Sequence, residues 1–147
     1  AGYAGPGVEI GRVIRMLILH DLVEIDTGDV PIHSANGAAH HGAAQLAAEA
    51  AAAARIFGLL PDAQGQAFRA LWAEFEENET PDAVFAKSLD RAQPVMQNIA
   101  AGGGSWIAYD VTYAQLVERV GSRIERGAPR LWGWLDARAH GFFEKPS

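Results

Sequence analysis

The sequence predicts an all-α protein, a bundle of about five to six helices in one domain spanning residues 1–147. Three observations carry this. Apolar residues recur at helical spacing almost throughout, and no run of alternating β-branched residues argues for a sheet. Proline, glycine and capping signals cut the chain into segments of ordinary helix length. With 147 residues, 49% of them hydrophobic and 20% charged, the chain can bury a single core.

A first helix is expected over about residues 8–25, with Ile10, Val13, Ile14, Leu17 and Ile18 at core spacing. Thr27-Gly28-Asp29-Val30-Pro31 stops it, and a polar loop containing His33, His40 and His41 follows. The Ala-rich segment 43–57 is helical on propensity and ends at Gly58. Pro61 opens a third helix striped by Phe68, Leu71, Trp72 and Phe75. Thr80-Pro81 caps a fourth, with Asp82 favouring its positive end, and this helix reaches about Ala100. Pro94 inside it cannot donate to the Asp90 carbonyl, so a kink is expected just after Asp90. Gly102-Gly103-Gly104-Ser105 reads as a flexible loop. Thr112-x-x-Gln115 has the form of a capping box for a fifth helix ending near Arg126. A last helix begins near Pro129 and carries Trp132, Trp134 and Phe142. There is no internal repeat and no interdomain linker.

Composition narrows the function. The net charge is -6 and only Lys87 and Lys145 are lysines, so no basic stripe exists to neutralise a long nucleic acid. A mononucleotide remains compatible, because a metal ion can supply the missing positive charge. The absence of cysteine excludes disulfides and thiolate metal sites. The longest apolar stretch, residues 13–19, is broken by Arg15 and is too short to span a bilayer. The start of the chain does not read as a signal peptide. A cytoplasmic protein with no membrane partner is expected. No Gly-x-Ser-x-Gly elbow or cysteine nucleophile is present. Gly102-Gly103-Gly104 lacks the Lys-Ser/Thr of a phosphate loop, and residues 26–29 have too few oxygen ligands for a calcium loop.

The stretch His20-Asp21-Leu22-Val23-Glu24 is the most informative. His20 and Glu24 lie roughly 40° apart on a helix and Asp21 roughly 100° from His20, so the core stripe runs directly into three ionisable groups. Buried charge is costly unless paired or bound to a metal, and an imidazole with two carboxylates suits a divalent cation. The same residues also fit the solvated end of a helix that surfaces after Leu19. Asp90, one turn from Lys87, equally fits a surface ion pair.

A second stretch bears on these alternatives. Leu71-Trp72-Ala73-Glu74-Phe75-Glu76, Glu79-Thr80-Pro81-Asp82-Ala83 and Phe85-Ala86-Lys87-Ser88-Leu89-Asp90 follow His20-Asp21-x-x-Glu24-x-x-Thr27-Gly28-Asp29-x-Pro31. Together, over about residues 1–100, these motifs resemble the HD-domain phosphohydrolases, particularly the 5′-deoxynucleotidase branch. The resemblance implies an HD-type helical bundle and one divalent metal ion (Mn, Co, Mg, Zn or Fe). It implies that His20, Asp21 and Asp90 ligate that metal and that Glu24 handles the proton during water attack. It places Thr27 and Asp29 where that branch shapes its substrate pocket, with Asp29 beside Glu24 in the catalytic set. The implied substrate is a small phosphomonoester, a nucleoside or deoxynucleoside 5′-monophosphate.

One departure qualifies this. The family's ligand set starts with a histidine on a helix before the His-Asp helix, commonly preceded by an Arg-Trp element. Here no histidine precedes His20, and Ala1-Gly2-Tyr3-Ala4 resembles the tail of that helix. The sequence therefore leads us to expect a chain lacking the family's N-terminal helix, with weakened metal binding and little turnover. His33, His40 and His41 read as solvated loop residues rather than replacement ligands. A missing helix would bare an apolar strip along the first and fourth helices, so a homodimer or larger homo-oligomer is expected. The competing function is a catalytically impaired binding or oligomerisation module on the same fold.

Overall fold

The computed structural model describes residues 2–29, 32–33 and 42–144, and His40 and His41 lie outside that set. Its elements are α1 (Ile10–Thr27), α2 (Ala43–Phe57), α3 (Asp62–Glu77), α4 (Pro81–Ala100), α5 (Ser105–Ala108), α6 (Tyr113–Leu116), a π-helical turn (Val117–Gly121), α7 (Ser122–Gly127) and α8 (Pro129–Phe143). No strand is present among the described residues, so the all-α expectation holds. No helix among them is long and apolar enough to cross a membrane.

α4 is the centre of the bundle. It packs against α1, α3, α7 and α8, and most extensively against α7. Its sequence permits that crowding, because Ala83, Ala86, Ser88 and Ala92 are fully buried and keep the neighbouring axes close. At its tightest point Ser88 meets Gly127, where an added Cβ would lie 2.5 Å from the Val84 carbonyl oxygen. The Ser88 hydroxyl is shared between the carbonyls of Val84 (2.8 Å) and Arg123 (3.1 Å), which joins α4 to α7.

The start of α4 holds α1 in place. Thr80 Oγ1 accepts the Ala83 amide at 3.2 Å as the capping residue and donates to Glu74 at 2.7 Å. Asp82 accepts the Glu9 amide and the Arg12 Nε (2.8 Å), while Arg12 also reaches Glu74. One guanidinium therefore ties α1 to the ends of α3 and α4. This sets the angle at which α1 carries its C-terminal half past α4.

α1 buries Val13, Met16, Leu19 and Val23. Ile14 and Ile18 do not belong to the core as their spacing suggested: they are 52% and 54% exposed, and Leu22 and Ile25 continue the same open stripe. The core stripe lies on the opposite side because α2, α3 and α4 all approach from there. The expected bare apolar strip is thus on α1, whereas α4 exposes only Met96 among its large apolar residues.

The capping box at Thr112 forms with both of its hydrogen bonds, 3.2 Å and 3.0 Å. The single helix expected there instead contains the π-helical turn. Gly121 at its end lies flat against the Trp132 ring, which leaves no room for a side chain. Pro94 sits inside α4, which continues to Ala100. The glycine run is a tight turn rather than a flexible loop. Gly102, Gly103 and Gly104 all take positive φ, and Asn98 Oδ1 accepts the Ser105 amide at 2.7 Å, starting the short helix α5. Trp132 is buried, whereas Trp134 is 42% exposed beneath the Arg138 guanidinium.

Candidate metal centre

The last two turns of α1 carry His20, Asp21 and Glu24 into a cavity of about 280 Å³. His20 neighbours the buried Leu19 and Val23 on α1, with its ring 4.7 Å from that of Phe75, and its side chain is only 16% exposed. The solvated-helix-end reading is therefore wrong for His20, because α3 covers it. One ligand atom each from His20, Asp21 and Glu24 lies within 4.8 Å of the others. From α4, Asp90 Oδ1 stands 4.0 Å from His20 Nε2, and Glu24 Oε1 stands 3.3 Å from the same nitrogen. Asp29 also lines the cavity. Thr27 does not, and its hydroxyl turns toward the Gly28 carbonyl oxygen at 3.5 Å.

Electrostatics follow from this crowding. Burial raises the pKa of Asp21 and Glu24, and their acidic neighbours add to the effect against the pull of His20. Burial disfavours a charged His20, but Glu76, Asp90 and Glu24 outweigh it and leave the imidazole more basic than usual. Protein groups alone thus leave the carboxylates short of positive charge. One imidazole nitrogen and several carboxylate oxygens fit a divalent cation of the Mn, Co, Mg, Zn or Fe type.

Glu76 and Lys87 were quoted in the sequence motifs without a role. Glu76 Oε1 lies 3.5 Å from His20 Nδ1, and both its oxygens accept from Lys87 Nζ at 3.1 Å. Lys87 therefore pairs with Glu76 across α3 and α4 rather than with Asp90 on its own helix, and its ammonium sits 4.1 Å over the Phe75 ring. Asp90 is faced by Arg91 Nε at 3.7 Å. Burial alone would raise the Glu76 pKa, yet the His20 hydrogen bond and the Lys87 charge pull it down to about 2. A carboxylate on Nδ1 assigns the proton to that nitrogen and frees Nε2 to act as a ligand. The only sequence signal for this was the presence of Glu76 in the second motif, with no spacing rule to connect an acid on α3 to a histidine on α1.

Much of the rest of the cavity is formed by α4, by α5 and by Tyr109 just after it. Gln93, Gln97 and Asn98 supply amide groups, and Trp106 and Tyr109 supply aromatic surface. His33 is buried rather than solvated, because it lines the cavity and its Nδ1 faces Arg119 at 3.5 Å. Burial, then Arg119, lowers its pKa and favours the neutral ring.

The family model described as HD domain matches residues 1–132. The 5′-deoxynucleotidase HDDC2 of Danio rerio is 31% identical over 87 residues, which is 58% of this chain and 41% of that protein. Its Xenopus laevis counterpart is 32% identical over the same shares. The chain thus matches well under half the length of these curated relatives. A solved structure of a predicted metal-dependent phosphohydrolase from Magnetospirillum magnetotacticum is 43% identical, with a TM-score of 0.84. That match covers 96% of this chain and 69% of the other. With the family model matched over nearly its whole length, this chain belongs to the HD-domain family.

Proposed function

We propose that this chain is a metal-dependent phosphohydrolase that cleaves a small phosphomonoester, a nucleoside or deoxynucleoside 5′-monophosphate. The observation that carries the reading is the convergence of His20, Asp21 and Glu24 ligand atoms within 4.8 Å, beside Asp90, in a cavity with aromatic and amide walls. His20, Asp21 and Asp90 would hold the cation. A bound divalent ion supplies Lewis acidity toward water and toward a phosphoryl oxygen.

The chain's own groups divide the remaining work. Glu24, made more basic by burial, accepts the proton of the attacking water and returns it to the departing ester oxygen. The bond from phosphorus to that oxygen breaks as the bond to the water oxygen forms, so the products are inorganic phosphate and an alcohol. Asp29 lies on the same wall as Glu24 and orients the water or substrate hydroxyl. Glu76 keeps His20 in its ligating tautomer. Trp106 and Tyr109 offer flat apolar surface to a base, with Gln93 and Gln97 as hydrogen-bonding partners. The open stripe of Ile14, Ile18, Leu22 and Ile25 on α1 supports self-association. A monodisperse monomer in light scattering at micromolar concentration would remove that part.

The test is a phosphatase assay on a panel of nucleoside monophosphates with Mn or Co, paired with elemental analysis. The wild-type rate is expected to be low, since no histidine precedes His20; Glu24→Gln should remove most of it while retaining metal, and Asp21→Asn should reduce both. Equal metal loss in the two variants would show that Glu24 is a ligand instead. Metal retention with no turnover on any phosphomonoester would leave a binding module in place of an enzyme.

A further inference from the structure

Among the described residues two histidines line the cavity, and their surroundings set them to opposite tasks. His20 has a carboxylate, Glu76, at its Nδ1, so its proton sits there and Nε2 offers a lone pair. His33 has a guanidinium at the same position, with Arg119 Nη1 3.5 Å from its Nδ1. Arginine carries donors only. Nδ1 of His33 is therefore the acceptor, and the one proton of the neutral ring is on Nε2. Burial and then the Arg119 charge hold the ring in that neutral form.

Long-range packing makes this pairing. Arg119 belongs to the π-helical turn Val117–Gly121, and the next residue, Val120, is buried and lines the cavity. Such turns close their hydrogen bonds over five residues instead of four and recur at functional sites. Gly121 ends the turn against the Trp132 ring, so α8 braces the segment that holds Arg119 beside His33. Nε2 of His33 has no hydrogen-bond partner among the described residues and is not enclosed by them. Such an N–H is served by water until a ligand oxygen displaces it.

The other neutral donors of the cavity are engaged or less selective. Asn98 and Ser105 bond each other, while Gln93 and Gln97 can both donate and accept. The His33 Nε2–H only donates, and the Arg119 charge behind the ring favours an anionic oxygen as its acceptor. Asp21, Glu24, Asp29 and Asp90 repel such an oxygen from the rest of the cavity wall.

We propose that His33 binds a phosphoryl oxygen of the substrate through Nε2–H, and that Arg119 is the positioning residue that fixes this tautomer. The identity of the ligand rests on the hydrolase reading. His33 is then a donor to substrate and not a stand-in for a metal-ligating histidine.

Long-range proton–nitrogen NMR correlations on the full chain report the tautomer without any turnover. Nδ1 of His33 should be unprotonated in wild type, and Arg119→Leu should leave a mixture. Calorimetric titration with orthophosphate in the presence of Mn tests the ligand. His33→Ala and His33→Asn should each weaken phosphate about tenfold or more. His33→Gln, whose amide reaches the Nε2 position, should retain most of the affinity. The Asn variant keeps an acceptor for Arg119, so its loss isolates the donor that faces the cavity. Arg119→Leu, at a half-buried position, should weaken phosphate as well and leaves the His33 side chain in place. Every variant should take up as much Mn as wild type in elemental analysis, with an unchanged circular dichroism spectrum. Lower Mn uptake in His33→Ala would make His33 a ligand and overturn the proposal. A proton on Nδ1, or phosphate affinity equal to wild type in His33→Asn, would also overturn it. A loss seen only with a nucleoside that lacks phosphate would assign His33 to the sugar or base, against the proposal. No Mn uptake by wild type would instead remove the hydrolase reading, and this inference with it.

Discussion

Replacing Glu76 by glutamine tests the charge logic beneath the candidate metal centre. The substitution keeps size and hydrogen-bonding atoms but removes the charge shared by Lys87 and His20. Holding a carboxyl at about 2 instead of its ordinary 4.5 corresponds to about 3 kcal/mol of folded-state stabilisation. Breaking a largely buried pair from one side has a similar cost, because Lys87 keeps its charge without a counter-charge. The expected loss for Glu76→Gln is therefore about 2–3 kcal/mol at neutral pH. The sign of the pH dependence follows from the depressed value. The stabilisation is fully present above the unfolded carboxyl's pKa of 4.5 and is lost as pH falls through that value toward about 2. Urea denaturation from pH 7 down to pH 3 should show the gap between wild type and variant narrowing below about pH 4.5. NMR titration should also show a less basic His20, since Glu76 is the strongest group raising its pKa. A variant as stable as wild type at pH 7, or a His20 that titrates unchanged, would refute the reasoning.

Further outcomes follow from particular contacts. Arg12→Ala should cost about 1–2 kcal/mol in urea denaturation, a value discounted for the one-third exposure of the arginine side chain but sustained by the buried Asp82 it abandons. Gly127→Ala should cost about 1–3 kcal/mol, because the new Cβ meets the Val84 backbone, which cannot yield. The control Gly133→Ala, with open space around it on α8, should be neutral or stabilising by up to about 1 kcal/mol. Adding Mn or Co at a hundredfold excess over its dissociation constant should stabilise the fold by about 2.7 kcal/mol. For a chain of this size that is roughly 5–10 °C in melting temperature. Asp21→Asn should shrink the shift, and no shift in wild type at millimolar metal would count against the proposed ligand set.

Much of this protein was legible in the sequence because local physics decides it. Proline at 61, 81 and 129, the threonine caps at 80 and 112, and the alanine-rich segment 43–57 set helix starts that the structure reproduces closely. The His20, Asp21 and Glu24 cluster was also readable, since three- and four-residue spacing on a single helix is a local property. What the sequence could not decide was which side of each helix meets a neighbour. Ile14 and Ile18 have the spacing of core residues, yet they face outward because α2, α3 and α4 approach α1 from the other side. Lys87 was one turn from Asp90 and had an acid partner close in sequence, yet it pairs with Glu76 on α3. The burial of His33 and the turn that launches α5 likewise depend on long-range packing. Periodicity specifies that a face exists. Only the tertiary structure decides what covers it, because that depends on contacts between residues far apart in the chain.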